Sequence, residues 1–450
     1  MKIQYVSIAP TTTAENEGCY ALTPELLAAT GARYSRNNEG LDAIVSKIDF
    51  SNTDKSVDSI FKMVDYGHAS IADMAPIALF IDDITLYAAY FLWTLSPTAG
   101  GQECSTRYIK MDSTNVASTD DLGIYDEYEI KYDLHIARSF NYYEQALEDW
   151  TKLGEMYPEL TQIPSSLLQS QSERDKKQVA RMMRNFAFDR ARVYLPVSTL
   201  TGVMMIQSAR AWANLSAHLQ SHALKELVLI GKEIEEKLKI GAPRLVKHCK
   251  ATEAIKSYYQ REFELWCSDY DLFYGTNLYA PPMTVTKSDL DFRTNRYSPF
   301  SSNLSRIPVK ISWSDMSFGE IRDLNRHRTG NKYCPFIPKG FYGASDELPN
   351  IVSPICQRIE RQEKVFEDTT WEAQNIMRFS PDYVYFTNLG HQYLFEHTTT
   401  ADKFLYEMEL RTGVGAHYKY AEHCHHALEL WYQKYPQTKG IIFEGSAEPE

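Results

Sequence analysis

Two short runs carry residue types that could grip a charged ligand. One is Gln102-Glu103-Cys104-Ser105-Thr106-Arg107-Tyr108. The other, more than 200 residues later, is Arg326-His327-Arg328, followed at once by Thr329-Gly330-Asn331. In an extended segment alternate side chains share a face. Glu103, Ser105 and Arg107 would then offer a carboxylate, a hydroxyl and a guanidinium fork to one ligand. Arginine can hold a phosphate through two donors, and a carboxylate can accept from a sugar hydroxyl. The same spacing also suits a solvated loop with a surface Glu–Arg pair, and from spacing alone that is the better reading. Cys104 has no histidine near it in sequence to lower its pKa, so it reads as a buried, inert thiol. Arg326-His327-Arg328 reads as the end of a helix, where cations are favoured by the dipole. Arg322 would lie one turn earlier on the same face, and Asp323 is spaced to pair with His327. The functional alternative for this run is a diphosphate clamp with an imidazole beside it.

Three further histidine-bearing segments compete for attention. Arg210, Asn214, His218 and His222 are each four residues apart, so on a helix they form one polar stripe flanked by Ala, Leu, Met and Trp. His218 and His222 have no obvious third metal ligand, so pocket lining or solvent contact is the better reading. His423-Cys424-His425-His426 lacks the grammar of a metal motif and reads as part of an amphipathic helix. Gly67-His68-Ala69-Ser70 reads as a turn with a satisfied histidine, and Ala32-Arg33-Tyr34-Ser35 has similar standing. No metal site is expected.

These residues need elements to position them. Thr23 as cap and Pro24 in the first turn predict a helix ending near Gly31. A second helix is expected over Lys55–Tyr66, a strand over Ile77–Phe80 and a buried helix over Thr85–Trp93. Long helices are expected over Tyr125–Leu153, Arg174–Arg192 and Met204–Leu238, the last closed by Gly241-Ala242-Pro243. The Pro-, Ser-, Thr- and Asn-rich stretch from Thr276 to Pro308 has no helical period and marks a boundary. Beyond it come a strand over Ile307–Trp313 and a helix opened by a capping box at Ser317-Phe318-Gly319-Glu320, running to Arg328 and stopping at Gly330. Helices over Gln357–Arg378, Ala401–Arg411 and His417–Tyr435 complete the order. Strand, helix, polar loop and paired long helices thus recur, a weak internal repeat with halves at 1–275 and 276–450.

Composition bounds the function. A chain of 450 residues with 44% hydrophobic content can bury two or three cores. A formal charge of −12 argues against a nucleic-acid binder, which needs a basic surface, but is compatible with a local basic pocket. Seven scattered cysteines fit reduced thiols in a cytoplasm. The apolar run Ile77–Leu95 is broken by Asp82-Asp83 and reads as core, and Met1-Lys2-Ile3-Gln4-Tyr5 leads into no apolar signal core. The expectation is a soluble cytoplasmic protein with no membrane span.

Taken in order, the motifs resemble the flavin-dependent thymidylate synthase family. The carriers are Ala32-Arg33-Tyr34-Ser35, then Gly67-His68-Ala69-Ser70 with Asp73, then Glu103-Cys104-Ser105-Thr106-Arg107-Tyr108. Ala191-Arg192-Val193-Tyr194-Leu195-Pro196 and Ser221-His222-Ala223 follow. Where the family has Arg-His-Arg, the first half has Trp93-Thr94-Leu95, and His218 stands at the long-helix arginine. The second half shows the complement: Arg326-His327-Arg328, and Glu409-Leu410-Arg411 matching the long-helix arginine. It lacks the other motifs, and Gly413 and Gly415 interrupt its last helix. The resemblance implies an α+β fold made of two diverged copies of the family's fold, long helices on small antiparallel sheets. It implies a homodimer forming a pseudo-tetramer. It implies methylation of dUMP to dTMP with FAD, methylenetetrahydrofolate and NADPH. By this carry-over Arg326, His327, Arg328, His68, Ser70, Asn214 and His222 hold FAD; Glu103, Ser105, Arg107 and Arg192 hold the nucleotide; and Arg411 is catalytic at the pyrimidine edge. The departures leave two alternatives: a flavoenzyme acting on another pyrimidine nucleotide, and an inactive nucleotide-binding paralogue.

Overall fold

The computed structural model describes residues 1–7, 21–36, 40–65, 69–106, 109–268, 275–282, 284–413 and 417–445. His68 and Arg107, two of the expected site residues, lie outside them, as does Gly415. In chain order the elements are β1 (Lys2–Val6), α1 (Pro24–Tyr34), α2 (Leu41–Val45), α3 (Thr53–Asp65), β2 (Pro76–Thr85), α4 (Leu86–Thr94), β3 (Gly100–Glu103) and α5 (Thr119–Leu122). Next come α6 (Glu127–Met156), α7 (Ser165–Leu168), α8 (Glu173–Ala191), β4 (Leu200–Ser208), α9 (Ala209–Gln220), α10 (Lys225–Gly241) and α11 (Glu253–Ser268). The last are β5 (Thr276–Tyr279), β6 (Pro308–Ser317), α12 (Phe318–Asn325), β7 (Asn331–Tyr333), β8 (Gly340–Phe341), α13 (Pro354–Met377), β9 (His391–Thr400), α14 (Ala401–Arg411) and α15 (Tyr418–Lys434).

The chain packs as two units. One comprises Met1–Cys104, Val116–Tyr125 and Ser198–Glu262; the other comprises Ser105–Asn115, Asp126–Val197 and Phe263–Glu450. The first unit holds an antiparallel sheet in the order β1-β2-β4-β3. The second holds an antiparallel sheet in the order β5-β6-β9-β7, with β8 also pairing β9. The fold is therefore α+β, with long helices on two small antiparallel sheets.

The two sheets follow one plan. In each, a ten-residue strand shifts register near its end, between Ile81 and Ile84 in β2 and between Trp313 and Met316 in β6. An extra residue there re-aims the strand. A hydroxyl residue then caps the following helix: Thr85 accepts from Ala88 N at 3.0 Å, and Ser317 accepts from Glu320 N at 3.4 Å. The paired strands β4 and β9 also run straight into helices, at Ser208 and Thr400.

One sequence expectation fails clearly. Met204–Leu238 is not a single helix. Val203 and Met205 alternate with half-buried neighbours and pair with β2, so the start of this run is strand β4. Alternation of burial is the strand period, and it outweighs the helix propensity of the methionines. Ser221 then ends α9, and its hydroxyl turns back to Ala217 O at 2.7 Å, so α10 is a separate helix. The first helix also runs past Gly31 to Tyr34. In the second unit α6 buries Tyr132, Phe140, Tyr143 and Trp150 along one side. It is clasped to α13 by Asp149, which accepts from Arg358 Nε at 2.7 Å, and by a Gln362–Gln145 bond of 3.0 Å.

Candidate active site

The second unit carries the densest set of expected site residues. Helix α12 is fixed first. Its capping box is complete: Glu320 Oε2 accepts from Ser317 N at 2.9 Å while the Ser317 hydroxyl caps the other way. Glu320 Oε1 also lies 2.7 Å from His423 Nδ1, and Asp315 is 3.6 Å from the same ring's Nε2. His423 is thus a buried partner of two carboxylates. Burial opposes its charge, but Glu320 and Asp315 outweigh that and raise its pKa to about 10.

The helix ends at Asn325, with Arg326 as its C-cap, so Arg326-His327-Arg328 leave the helix instead of lying within it. Gly330 follows at φ +71°, a conformation that costs glycine little. A Cβ there would meet Thr398 O at 2.2 Å and His397 Nε2 at 2.9 Å, so the turn sits hard against β9. The arginine run is thereby held open at its C-terminal side.

Asp323 does not pair with His327, as its spacing had suggested. Its carboxylate takes two arginines instead: Arg192 Nη2 at 3.3 Å, and Arg326 Nη2. Arg192 is buried, and its other nitrogen donates to Thr106 Oγ1 at 3.3 Å. An expected nucleotide residue and an expected flavin residue therefore share one carboxylate. His327 turns to α14, where Arg411 Nε donates to its Nε2 at 2.8 Å. An accepting Nε2 leaves the ring proton on Nδ1, which fixes the tautomer. Burial, opposed by Glu407 and helped by the charges of Arg411, His397 and Lys332, pushes His327 down to about 4. Arg328 donates from Nε to Arg326 O at 3.2 Å; burial and then the Arg326 charge lower its pKa. Burial likewise lowers that of Lys332, whose ammonium donates to His327 O.

In the first unit the expected residues are more scattered. Glu103, at the end of β3, accepts from Trp93 Nε1 at 3.2 Å, so the residue standing where the family has Arg-His-Arg is bonded to the expected nucleotide carboxylate. Ser70 is exposed in a short 3₁₀ turn over Ala69–Met74, and Asn214 is exposed on α9. His222 follows α9, its Nδ1 accepting from Leu224 N at 3.1 Å and its ring edge-on to Phe91 and Tyr259, each at 4.9 Å. Burial pushes it down to about 4, which suits a neutral ring. His218 Nδ1 lies 2.9 Å from the Tyr259 hydroxyl. Arg210 pairs with Asp73 at 2.9 Å. Ser105 belongs to the second unit and is half-buried. Cys104 is exposed, contrary to the buried thiol expected, because β3 is an edge strand that only Cys104 N continues, to Gly202 O. Among the described residues no helix is long and apolar enough to cross a membrane.

Sequence reasoning missed Glu407, His397 and Lys332, which surround His327. Glu407 and His397 are each about 1% exposed, and a glutamate is rarely buried so fully unless it is paired. The available signal was the spacing of Glu407 and Arg411, one turn apart on α14.

Fold and geometry thus define an α+β protein with a cluster of arginines and histidines in its second unit. The family model described as "Thymidylate synthase complementing protein" matches residues 20–244, half of the 450-residue chain, and the chain belongs to that family. A comparison with curated proteins finds no match. Among solved structures the chain is similar to a UMP/dUMP methylase PolB from Streptomyces cacaoi bound with 5-Br dUMP, at 17% identity over 55% of this chain and 93% of that one, TM-score 0.31. It is also similar to the flavin-dependent thymidylate synthase ThyX from Helicobacter pylori complexed with FAD and dUMP, at 16% identity over 51% of this chain and 96% of that one, TM-score 0.32.

Proposed function

We propose that this chain is a flavin-dependent enzyme that methylates dUMP to dTMP, with methylenetetrahydrofolate as carbon source and NADPH as reductant. The observation that supports it most is the connected set Arg192–Asp323–Arg326 with His327–Arg411. It links residues to which the resemblance, carried over motif by motif, gives the nucleotide phosphate, the flavin and the pyrimidine. The donor set also fits FAD. Arg326 and Arg328 stand two residues apart, and Arg328 and Lys332 are both half-buried beside other cations, an environment that an anionic diphosphate would relieve.

In this reading Arg326, His327 and Arg328 hold the flavin, with His68, Ser70, Asn214 and His222. Glu103, Ser105, Arg107 and Arg192 hold the nucleotide. FAD, when bound, supplies the hydride chemistry. Arg411, oriented through its Nε by His327, directs its remaining guanidinium donors at negative charge developing on the pyrimidine. His327, neutral with its proton on Nδ1, offers a hydrogen bond without adding a charge. No enzymic nucleophile is invoked, and Cys104, though exposed, has none assigned. The proposed working form is a homodimer.

A second reading, action on another pyrimidine nucleotide, is favoured by one observation. Arg192 already engages the Asp323 carboxylate and the Thr106 hydroxyl, so the charge offered to a phosphate differs from that of an unpaired arginine. Growth of a thymidine-requiring strain carrying this gene separates the two. Growth supports dTMP synthesis; no growth with a flavin-loaded, nucleotide-binding protein supports the second reading.

A further inference from the structure

Glu407 is a buried carboxylate that neither family carry-over nor the proposed chemistry employs. It lies on α14 one turn before Arg411. His397 Nδ1 is 3.2 Å from its Oε2, and the Tyr420 hydroxyl is 3.4 Å from its Oε1. The other nitrogen of His397, Nε2, is 2.8 Å from the carbonyl oxygen of Thr329. A carbonyl only accepts, so Nε2 is the donor to Thr329 O, and Nδ1 is the nitrogen that faces Glu407. The imidazole thus stands between the Glu407 carboxylate and the Thr329 carbonyl. Lys332 donates to the carbonyl of His327, the residue two before Thr329. Gly330 presses the same turn against His397 and Thr398.

His327, His397 and Lys332 act on Glu407; burial opposes its ionisation, but those groups outweigh it and hold the carboxyl down to about 2. Cys424 and Tyr420, packed from α15, are both shifted toward their neutral forms, first by burial and then by Glu407. A buried charge that loses its partner is strongly unfavourable. Removing Glu407 would therefore take from Lys332 the negative charge that favours its ammonium form, and from His397 Nδ1 the group it faces at 3.2 Å.

We propose that Glu407 is a positioning residue for the Arg326–Arg328 segment: through His397 it anchors the Thr329 carbonyl and so sets where His327 meets Arg411. This rests on the reading of that segment as the flavin holder, and two readouts separate the failures. The first is side-chain nitrogen NMR of flavin-stripped protein. Wild type should show His397 with a proton on Nε2 held by Thr329 O and His327 protonated on Nδ1 alone; Glu407→Gln should change both signatures. The second is FAD affinity, which should fall on the order of tenfold in Glu407→Gln, the scale of a modest misplacement of ligand-holding groups. Glu407→Asp, which keeps the charge, should recover part of it. A Glu407→Gln protein that folds, binds FAD within twofold of wild type and keeps the His327 tautomer overturns the proposal. So does FAD loss with an unchanged His397 signature. Should Glu407→Gln not fold, His397→Gln decides: retained FAD affinity and an unchanged His327 tautomer overturn the proposal, and their joint loss supports it. Wild type that binds no FAD sinks the flavin reading alone, and the positioning claim is then judged on the His327 tautomer.

Discussion

The bond from Arg411 Nε to His327 Nε2 decides what each residue can do. It takes one donor from Arg411, and it leaves His327 with a single donor, at Nδ1. Arg411→Ala should release the ring to either tautomer, visible in the same nitrogen spectra. Asp323 is the other pivot. Arg192 is buried, with 4% of its side chain exposed, so Asp323→Ala leaves its charge without its carboxylate. Loss of one partner from such a pair costs about 3–5 kcal/mol when fully buried; Arg326 is more exposed, so the lower end is expected in denaturant unfolding. Arg107→Ala should weaken dUMP binding while FAD stays bound, measured by titration with each ligand. At this scale the sequence was informative where residue type sufficed. Arg326, His327 and Arg328 stand out by type at a helix end, whereas Arg411 was named only by matching Glu409-Leu410-Arg411 to the family's long-helix arginine. Glu407, His397 and the true partner of Asp323 were hidden because their contacts join positions far apart in the chain, and Asp323 pairs with Arg192 across 131 residues.

At the scale of elements, caps and turns carry the site. The Ser317–Glu320 box was legible because it is a local rule, and Ser317→Ala should cost about 1 kcal/mol of stability. Gly330→Ala should do more, because the position has φ +71° and a Cβ would meet Thr398 O at 2.2 Å. The expected result is a destabilised protein with weakened FAD retention, read by thermal melting and by flavin content. Helices α13, α14 and α15 fell close to where periodicity put them. β4 did not, because Met204-Met205-Ile206 suits a helix locally and becomes a strand only by pairing with β2 and β3. The end of α12 at Asn325 was also missed: nothing local stops it there, and the contacts of Asp323, His327 and Lys332 beyond the helix hold the chain open.

Across the whole molecule, buried histidines set the pH limits. Burial pushes His135 and His391 down to about 3, and His222 and His327 to about 4, against an ordinary value of 6.5. The unfolded chain binds protons that the folded one refuses, so stability is full above about 6.5 and falls as pH drops toward 4 and below. Glu407 adds to this loss at still lower pH, from its ordinary 4.5 down to about 2. His423 acts on the other side. Its folded value of about 10 means its contribution is full below about 6.5 and disappears as pH rises through 10. Melting temperature against pH should therefore be highest near neutrality, and His423→Gln should flatten the alkaline limb. Sedimentation of the purified protein should give a homodimer. The recurrence of strand, helix, polar loop and long helices was read from the sequence, whereas the bulges in β2 and β6 and the assignment of residues 105–115 and 126–197 to the second unit were not, because they depend on pairing and packing between distant segments. The account as a whole is tested most directly by dTMP formation from dUMP with methylenetetrahydrofolate and NADPH, with and without FAD, in wild type and Arg326→Ala. It predicts product from wild type only when FAD is present, and loss of both bound flavin and product in the variant. An FAD-saturated wild type that makes no dTMP, or a variant with undiminished flavin and turnover, would contradict it.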